Sequence, residues 1–109
     1  MESKEIRQMI DARLDKYIIG IYKWADGFGK EYYLGAFRAY VHCLGEFGYI
    51  KRITEFRLCA LDFSVMTFRR ARLSVRFLLD DSFGFQEQGA GFGSFENEVL
   101  LKWALERII

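Results

Sequence analysis

Residues 54–81 lie within the longest glycine-free stretch of the chain, and they are apolar on more than one side. Projected at about 100° per residue, their apolar side chains fall on two faces of a helix. The main face carries Phe56, Cys59, Ala60, Phe63, Met66, Ala71, Leu73, Phe77 and Leu78. The second face carries Leu58, Leu61, Val65, Phe68, Val75 and Leu79. Because a helix that is apolar nearly all round is typical of a domain centre, the pattern predicts one long central helix, with Thr54 as its N-cap.

A β-hairpin over about residues 52–79 is the alternative interpretation of this stretch, since Phe, Val and Thr are frequent in strands. No glycine, asparagine or proline stands where a tight hairpin turn requires one. The alternation of apolar and polar residues also fails at residues 58–61 and 77–79. We therefore predict an all-α fold and keep an α+β fold containing this hairpin as the alternative.

Three more helices are predicted around the central stretch, over residues 3–25, residues 31–47 and from Ser94 to the C-terminus. Each shows apolar residues at spacings of three and four, and glycines at 27, 29 and 48 separate the first elements. A chain of 109 residues is long enough to bury one modest core. The sequence thus predicts a single domain, residues 1–109, built as a bundle of about four helices.

Four arginines of the central stretch are the most distinctive charges in the chain. On a continuous helix, Arg69, Arg72 and Arg76 form one narrow row, which is either a solvated edge or a binding surface for carboxylates or phosphates. Arg70 falls inside the main apolar face, where a buried cation needs a carboxylate or free carbonyls. We expect Arg70 to be paired within the fold.

The segment 82–93 is rich in glycine and holds three aromatic residues, Phe83, Phe85 and Phe92. Aromatic side chains on a loop are either a recognition element or a cap that closes the end of the core. The glycines lack the lysine of a phosphate-binding P-loop and do not follow a strand, which argues against nucleotide binding.

The chain offers little for catalysis or metal binding. His42 is the only histidine, and no pattern pairs it with a second metal ligand, a nucleophile or an orienting carboxylate, so it is interpreted as a lone surface side chain. Cys43 and Cys59 form no CxxC pair and are predicted to be buried thiols. No cofactor or metal is expected. The absence of a disulfide framework and of a signal peptide favours a cytoplasmic location, and no run is long enough for a membrane span.

Small residues lie on the outward side of the second predicted helix. Gly35 and Ala39 are four residues apart on its outward side, and Gly45 follows. Such spacing either reflects mere tolerance of glycine or lets the backbone of a second subunit or partner approach.

The net charge of +1 gives the whole chain no electrostatic reason to bind nucleic acid or membranes. The sequence favours a non-enzymatic protein-binding module, such as a small inhibitor, immunity or phage-type anti-defence protein that blocks a partner's surface. The expected contact residues are Arg69, Arg72, Arg76, Phe83, Phe85 and Phe92, because arginine and aromatic residues dominate interface energies. The alternatives are a nucleic-acid-binding regulator that uses the arginine row, and, with less support, an enzyme or small-ligand protein.

Overall fold

The structure is a computed structural model that describes residues 3–24 and 27–82. Its helices are α1 (Ser3–Lys23), α2 (Gly27–Glu46), α3 (Arg52–Cys59) and α4 (Phe68–Ser82), with a 3₁₀ turn at Phe63–Val65. Helix accounts for 86% of the described residues, and none of them is in a strand. The all-α prediction is confirmed, and the hairpin alternative is wrong.

The four helices pack in a ring, in which α1 contacts α2 and α4, and α3 contacts the same two helices. The core between them is contributed by every helix and by the connection from α2 to α3. Its fully buried large side chains are Tyr17, Tyr40, Tyr49, Phe37, Ile6, Ile10, Leu14, Ile18, Ile21, Leu44, Ile50 and Leu58. The apolar residues at spacings of three and four in the first two predicted helices therefore largely form buried faces, although Trp24, which continues that spacing at the end of the first, is half exposed.

Gly48 ends α2, as its position in the sequence predicts. Its φ of 81° is costly for any residue with a Cβ. The amide of Gly48 donates to the carbonyl of Gly45, and the amide of Tyr49 donates to that of Leu44. These two hydrogen bonds form a Schellman motif, which turns the chain away from α2 and brings Tyr49 back into the core.

The predicted central helix over residues 54–81 is interrupted, so the prediction of one long helix is wrong in this detail. The chain leaves α3 after Cys59 and resumes helical structure only at Phe68, apart from the short 3₁₀ turn. Asp62 begins that turn by accepting a hydrogen bond from the amide of Ser64 (3.0 Å), and Thr67 Oγ1 accepts from the amide of Arg70 (3.2 Å). Short polar side chains that bond to nearby amides favour helix ends over helix interiors.

The interruption changes which side of α4 is buried. The buried positions are Ala71, Val75, Leu79 and Ser82, whereas Leu73 and Phe77, which the sequence places in the core, are 60% and 73% exposed. Phe56 on α3 is likewise exposed. Thr54 lies inside α3 and not at its N-cap, which is Lys51.

Tyr22 at the end of α1 fixes the connection between α3 and α4. Its hydroxyl shares its one proton between two carbonyl oxygens, those of Met66 (2.7 Å) and Phe63 (3.0 Å). Its ring meets the rings of Phe63 and Phe68 edge to face, with centroids 6.3 and 5.7 Å away. One side chain of α1 therefore satisfies backbone groups that the break in the helix leaves without helical partners.

We expect Tyr22→Phe to lower the free energy of unfolding by about 1 kcal/mol, because it removes the hydroxyl and leaves two carbonyls without their donor. Phenylalanine keeps both ring contacts, so the change isolates the hydrogen bond. Urea denaturation of the wild type and the variant measures the difference. Equal midpoints with equal slopes would show that the hydroxyl does not stabilise the connection.

The predicted loop at 82–93 and the predicted helix from Ser94 to the C-terminus lie outside the described residues, except that Ser82 is the last residue of α4.

Candidate functional site

The most distinctive surface of the protein is the side of α4 that faces away from the core. We define this α4 outer surface as Arg69, Arg70, Leu73, Arg76 and Phe77, all of which are exposed. Buried and exposed positions alternate along α4 with the period of a helix, so Leu73 and Phe77 lie opposite the inner row of Ala71 and Val75. The surface therefore has an apolar centre with cationic side chains on both sides.

Two shallow depressions flank Leu73 on this surface. The first, of about 390 Å³, is lined by Phe68, Arg69, Arg72, Leu73 and Arg76. The second, of about 430 Å³, is lined by Leu61, Arg70, Leu73, Ser74, Phe77 and Leu78. Both combine apolar walls with arginine, which suits a partner that presents apolar side chains next to carboxylates.

The predicted arginine row is divided by contacts with α1. Arg72 and Arg76 both bind the Asp15 carboxylate, at 3.2 and 3.1 Å, and the Arg72 guanidinium also lies over the ring of Phe68. These contacts tie α4 to α1 and offset part of the positive charge. Arg69 makes no ion pair with any described residue, so it is the member of the row whose charge is least compensated.

The prediction that Arg70 is a paired, core-facing side chain is wrong for the described part of the chain. Arg70 is exposed, and its side chain meets no carboxylate there. The physical reason is the break before α4, which rotates the second half of the stretch relative to the continuous helix assumed from the sequence. Arg70 consequently joins Arg69 on the outer surface.

The other predicted contact residues, Phe83, Phe85 and Phe92, lie outside the described residues. Their role in binding stays a prediction.

A second candidate site joins α2 to α3 through His42, Glu55 and Cys59, which we call the Cys59 cluster. His42 Nδ1 lies 2.7 Å from Glu55 Oε2, and His42 Nε2 lies 3.7 Å from Cys59 Sγ. The second carboxylate oxygen of Glu55 accepts a hydrogen bond from Arg52 at 3.0 Å. The interpretation of His42 as a lone surface side chain is therefore wrong, although its ring is mostly exposed.

The helix geometry explains how these three residues meet. Glu55 and Cys59 are four residues apart, so they lie on one face of α3, toward α2. Gly45, three residues after His42 on α2, leaves room for the Glu55 side chain, since a Cβ there would collide with the carboxylate. The glycine that the sequence associates with tolerance or a partner contact thus serves a close approach inside the chain.

Hydrogen bonding determines what His42 offers to Cys59. An ionised carboxylate only accepts hydrogen bonds, so the His42 nitrogen facing Glu55 must carry a proton. In the neutral ring, Nε2 then has a free lone pair, and this is the nitrogen next to Sγ. Glu55 consequently orients the imidazole as a proton acceptor for the thiol, as a carboxylate does in a nucleophile–histidine–acid arrangement.

Both cysteines are half-buried free thiols, so the prediction that they are buried is wrong. Burial raises the pKa of the Cys59 thiol, and the nearby Glu55 charge raises it further, whereas Arg38 lowers it. Burial also raises the pKa of Cys43, with a smaller contribution from Glu46. At neutral pH both thiols are mainly protonated, and the two differ in that Cys59 has an imidazole beside it.

The predicted small-residue face of α2 is open. Gly35 and Ala39 are both exposed, and a Cβ added at Gly35 would meet no atom within 4 Å. A second copy of the chain at this face stays a prediction.

Within the described ranges, no group of three or more His, Cys, Asp or Glu side chains could hold a metal ion. None of the described helices is long and apolar enough to cross a membrane. No family model, curated protein or solved structure matches this chain.

Proposed function

We propose that this chain is a non-enzymatic, intracellular protein-binding module whose α4 outer surface docks against another protein. The observation that carries the proposal is the pair of large apolar side chains, Leu73 and Phe77, exposed at the centre of a helix face. Exposed apolar side chains of this kind, next to arginines, resemble the central residues of protein interfaces. The partner segment is expected to bring apolar side chains flanked by carboxylates.

The electrostatics favour an acidic protein segment over nucleic acid. Asp15 of α1 lies between Arg72 and Arg76 and offsets their charge. A further carboxylate on α4, that of Asp80, binds Arg7 of α1 at 2.7 Å. A nucleic-acid surface would instead present an uninterrupted basic stripe. Arg69 and Arg70 supply directed contacts for carboxylates without making the whole surface strongly basic.

Photocrosslinking from position 77 tests the proposal. Benzoylphenylalanine replaces Phe77 in the full chain, and a control chain carries it at Phe28, which is exposed on α2. We expect irradiation of lysate from the native host to give a heavier protein adduct from position 77 only. The adduct should resist nuclease and disappear when Arg69 and Arg70 are both replaced with glutamate.

Any other crosslinked product would contradict the proposal that α4 binds another protein. An adduct of twice the chain mass shows that a second copy occupies the surface. A crosslink without added mass shows that the chain covers α4 itself, and a nuclease-sensitive adduct shows a nucleic-acid partner. An adduct that forms equally from Phe28 and Phe77 shows that α4 is not selective.

A further inference from the structure

The Cys59 cluster lies on α2 and α3 and takes no part in the proposed docking surface on α4. It combines a thiol, a proton acceptor and an orienting carboxylate in one row, at 3.7 Å and 2.7 Å. Glu55 is buried and Cys59 packs against the edge of the core, so the fold anchors this row at both ends, whereas the His42 ring between them is 60% exposed. An exposed imidazole that is held between a carboxylate and a thiol is suited to proton transfer from that thiol.

We propose that Cys59 is a thiol–disulfide exchange site, in which His42 accepts the thiol proton and Cys59 forms a mixed disulfide with a small disulfide such as glutathione disulfide. The proposal concerns covalent modification of this chain. It is independent of the protein partner proposed for α4.

The protonation state of the thiol makes the imidazole necessary. A thiolate, not a thiol, attacks a disulfide, and burial keeps Cys59 protonated at neutral pH by raising its pKa. His42 Nε2 removes this obstacle by taking the proton as Sγ becomes nucleophilic. Glu55 then lies beside an imidazolium, which its carboxylate stabilises, and Glu55 is itself held by Arg52.

The exchange balances without any further reagent. The proton moves from Sγ to Nε2, and the thiolate attacks one sulfur of the incoming disulfide. A new S–S bond forms to Cys59 while the original S–S bond breaks, and the leaving thiolate takes the proton from Nε2. The products are a mixed disulfide on Cys59 and one free small thiol, so the pool of disulfide bonds and protons is unchanged.

A depression of about 360 Å³ lies between α2 and the turn that follows α3, next to Cys59. Cys59 is in its wall, together with two cationic side chains, Lys30 and Arg38, and two acidic ones, Glu31 and Asp62. Arg38 is close enough to lower the pKa of Cys59 in part, so it also stabilises the attacking thiolate. Cys43 does not line this depression and has no imidazole contact among the described residues, which makes it an internal control.

The test follows both thiols in the full-length protein. The reduced protein is mixed with glutathione disulfide at neutral pH and quenched with acid, and mass spectrometry of its peptides gives separate rates for Cys59 and Cys43. We expect Cys59 to react about tenfold faster or more, which corresponds to roughly one pKa unit in available thiolate. Equal rates for the two cysteines would overturn the proposal.

Two replacements of His42 show whether the imidazole is responsible. His42→Ala removes it, and His42→Gln retains a polar side chain that cannot take the proton. Both should bring the Cys59 rate down to about that of Cys43, whose own rate should stay unchanged and so report an intact fold. Free imidazole added to the His42→Ala protein should restore part of the Cys59 rate. If Cys59 remains fast in either variant, His42 is not the acceptor and the proposal fails.

Discussion

Replacing Phe37 with alanine is expected to lower the free energy of unfolding by about 3–5 kcal/mol, the largest loss predicted here for a single side chain. Phe37 is fully buried on α2, and its ring meets that of Phe63 edge to face with centroids 5.1 Å apart. Truncation leaves a cavity between α2 and the turn after α3, and it also removes the ring contact. Chemical denaturation followed by circular dichroism measures the loss.

Phe77→Ala is the matched control, because it removes the same atoms from a side chain that is 73% exposed. Its effect should stay within about 0.5 kcal/mol, as for most surface substitutions. A loss at Phe77 comparable with that at Phe37 would mean that Phe77 is covered in the full chain. That result would remove the basis for a docking surface on α4, while a small loss at Phe37 would contradict the core itself.

Helical spacing was sufficient to predict the fold class and the inner faces of α1 and α2. Those faces repeat without interruption, so the phase assigned at one end of the helix holds at the other. Gly48 was also predictable, since a residue with positive φ after a helix is usually glycine. Local patterns therefore predicted the buried faces of these two uninterrupted helices and the glycine that ends the second.

The break between α3 and α4 was missed although its signals are present in the sequence. Asp62 and Thr67 are residues that cap helices, and here their side chains accept hydrogen bonds from the amides of Ser64 and Arg70, at the starts of the 3₁₀ turn and α4. Their apolar neighbours, such as Phe63 and Met66, continue a helical pattern well enough to conceal them. Because the helix was assumed to continue, the assigned phase was wrong in α4. Leu73, Phe77 and Arg70 were therefore placed in the core, although they are exposed.

The Cys59 cluster could be predicted only in part. Glu55 and Cys59 share a face by their spacing alone, but nothing in the sequence shows which residue of α2 lies opposite them. Their contact with His42 depends on how α2 and α3 cross, which is a property of the packed structure. The one usable signal is Gly45, a helical glycine one turn after the only histidine.

Gly45→Ala and Gly35→Ala should change stability in opposite directions, although both replace a glycine within α2. At Gly45 the new methyl group meets the Glu55 side chain, whose Cβ is already 3.1 Å from the position of the added carbon. The collision extends from the carboxylate to near the backbone, so a rotation of the carboxylate alone does not relieve it. We expect Gly45→Ala to cost about 1–3 kcal/mol, as overpacking does elsewhere.

At Gly35 the added methyl group meets nothing within 4 Å, so the substitution only improves helix propensity. We expect it to stabilise the chain by about 0.5–1 kcal/mol, because alanine loses less backbone entropy in a helix than glycine does. Thermal unfolding of both variants at several protein concentrations shows whether each substitution raises or lowers the melting temperature. A lower melting temperature for Gly35→Ala that depends on concentration would show that a second copy approaches the Gly35 and Ala39 face. Stabilisation by both variants would show that Glu55 does not lie against α2. That result would also contradict the contact between Glu55 and His42.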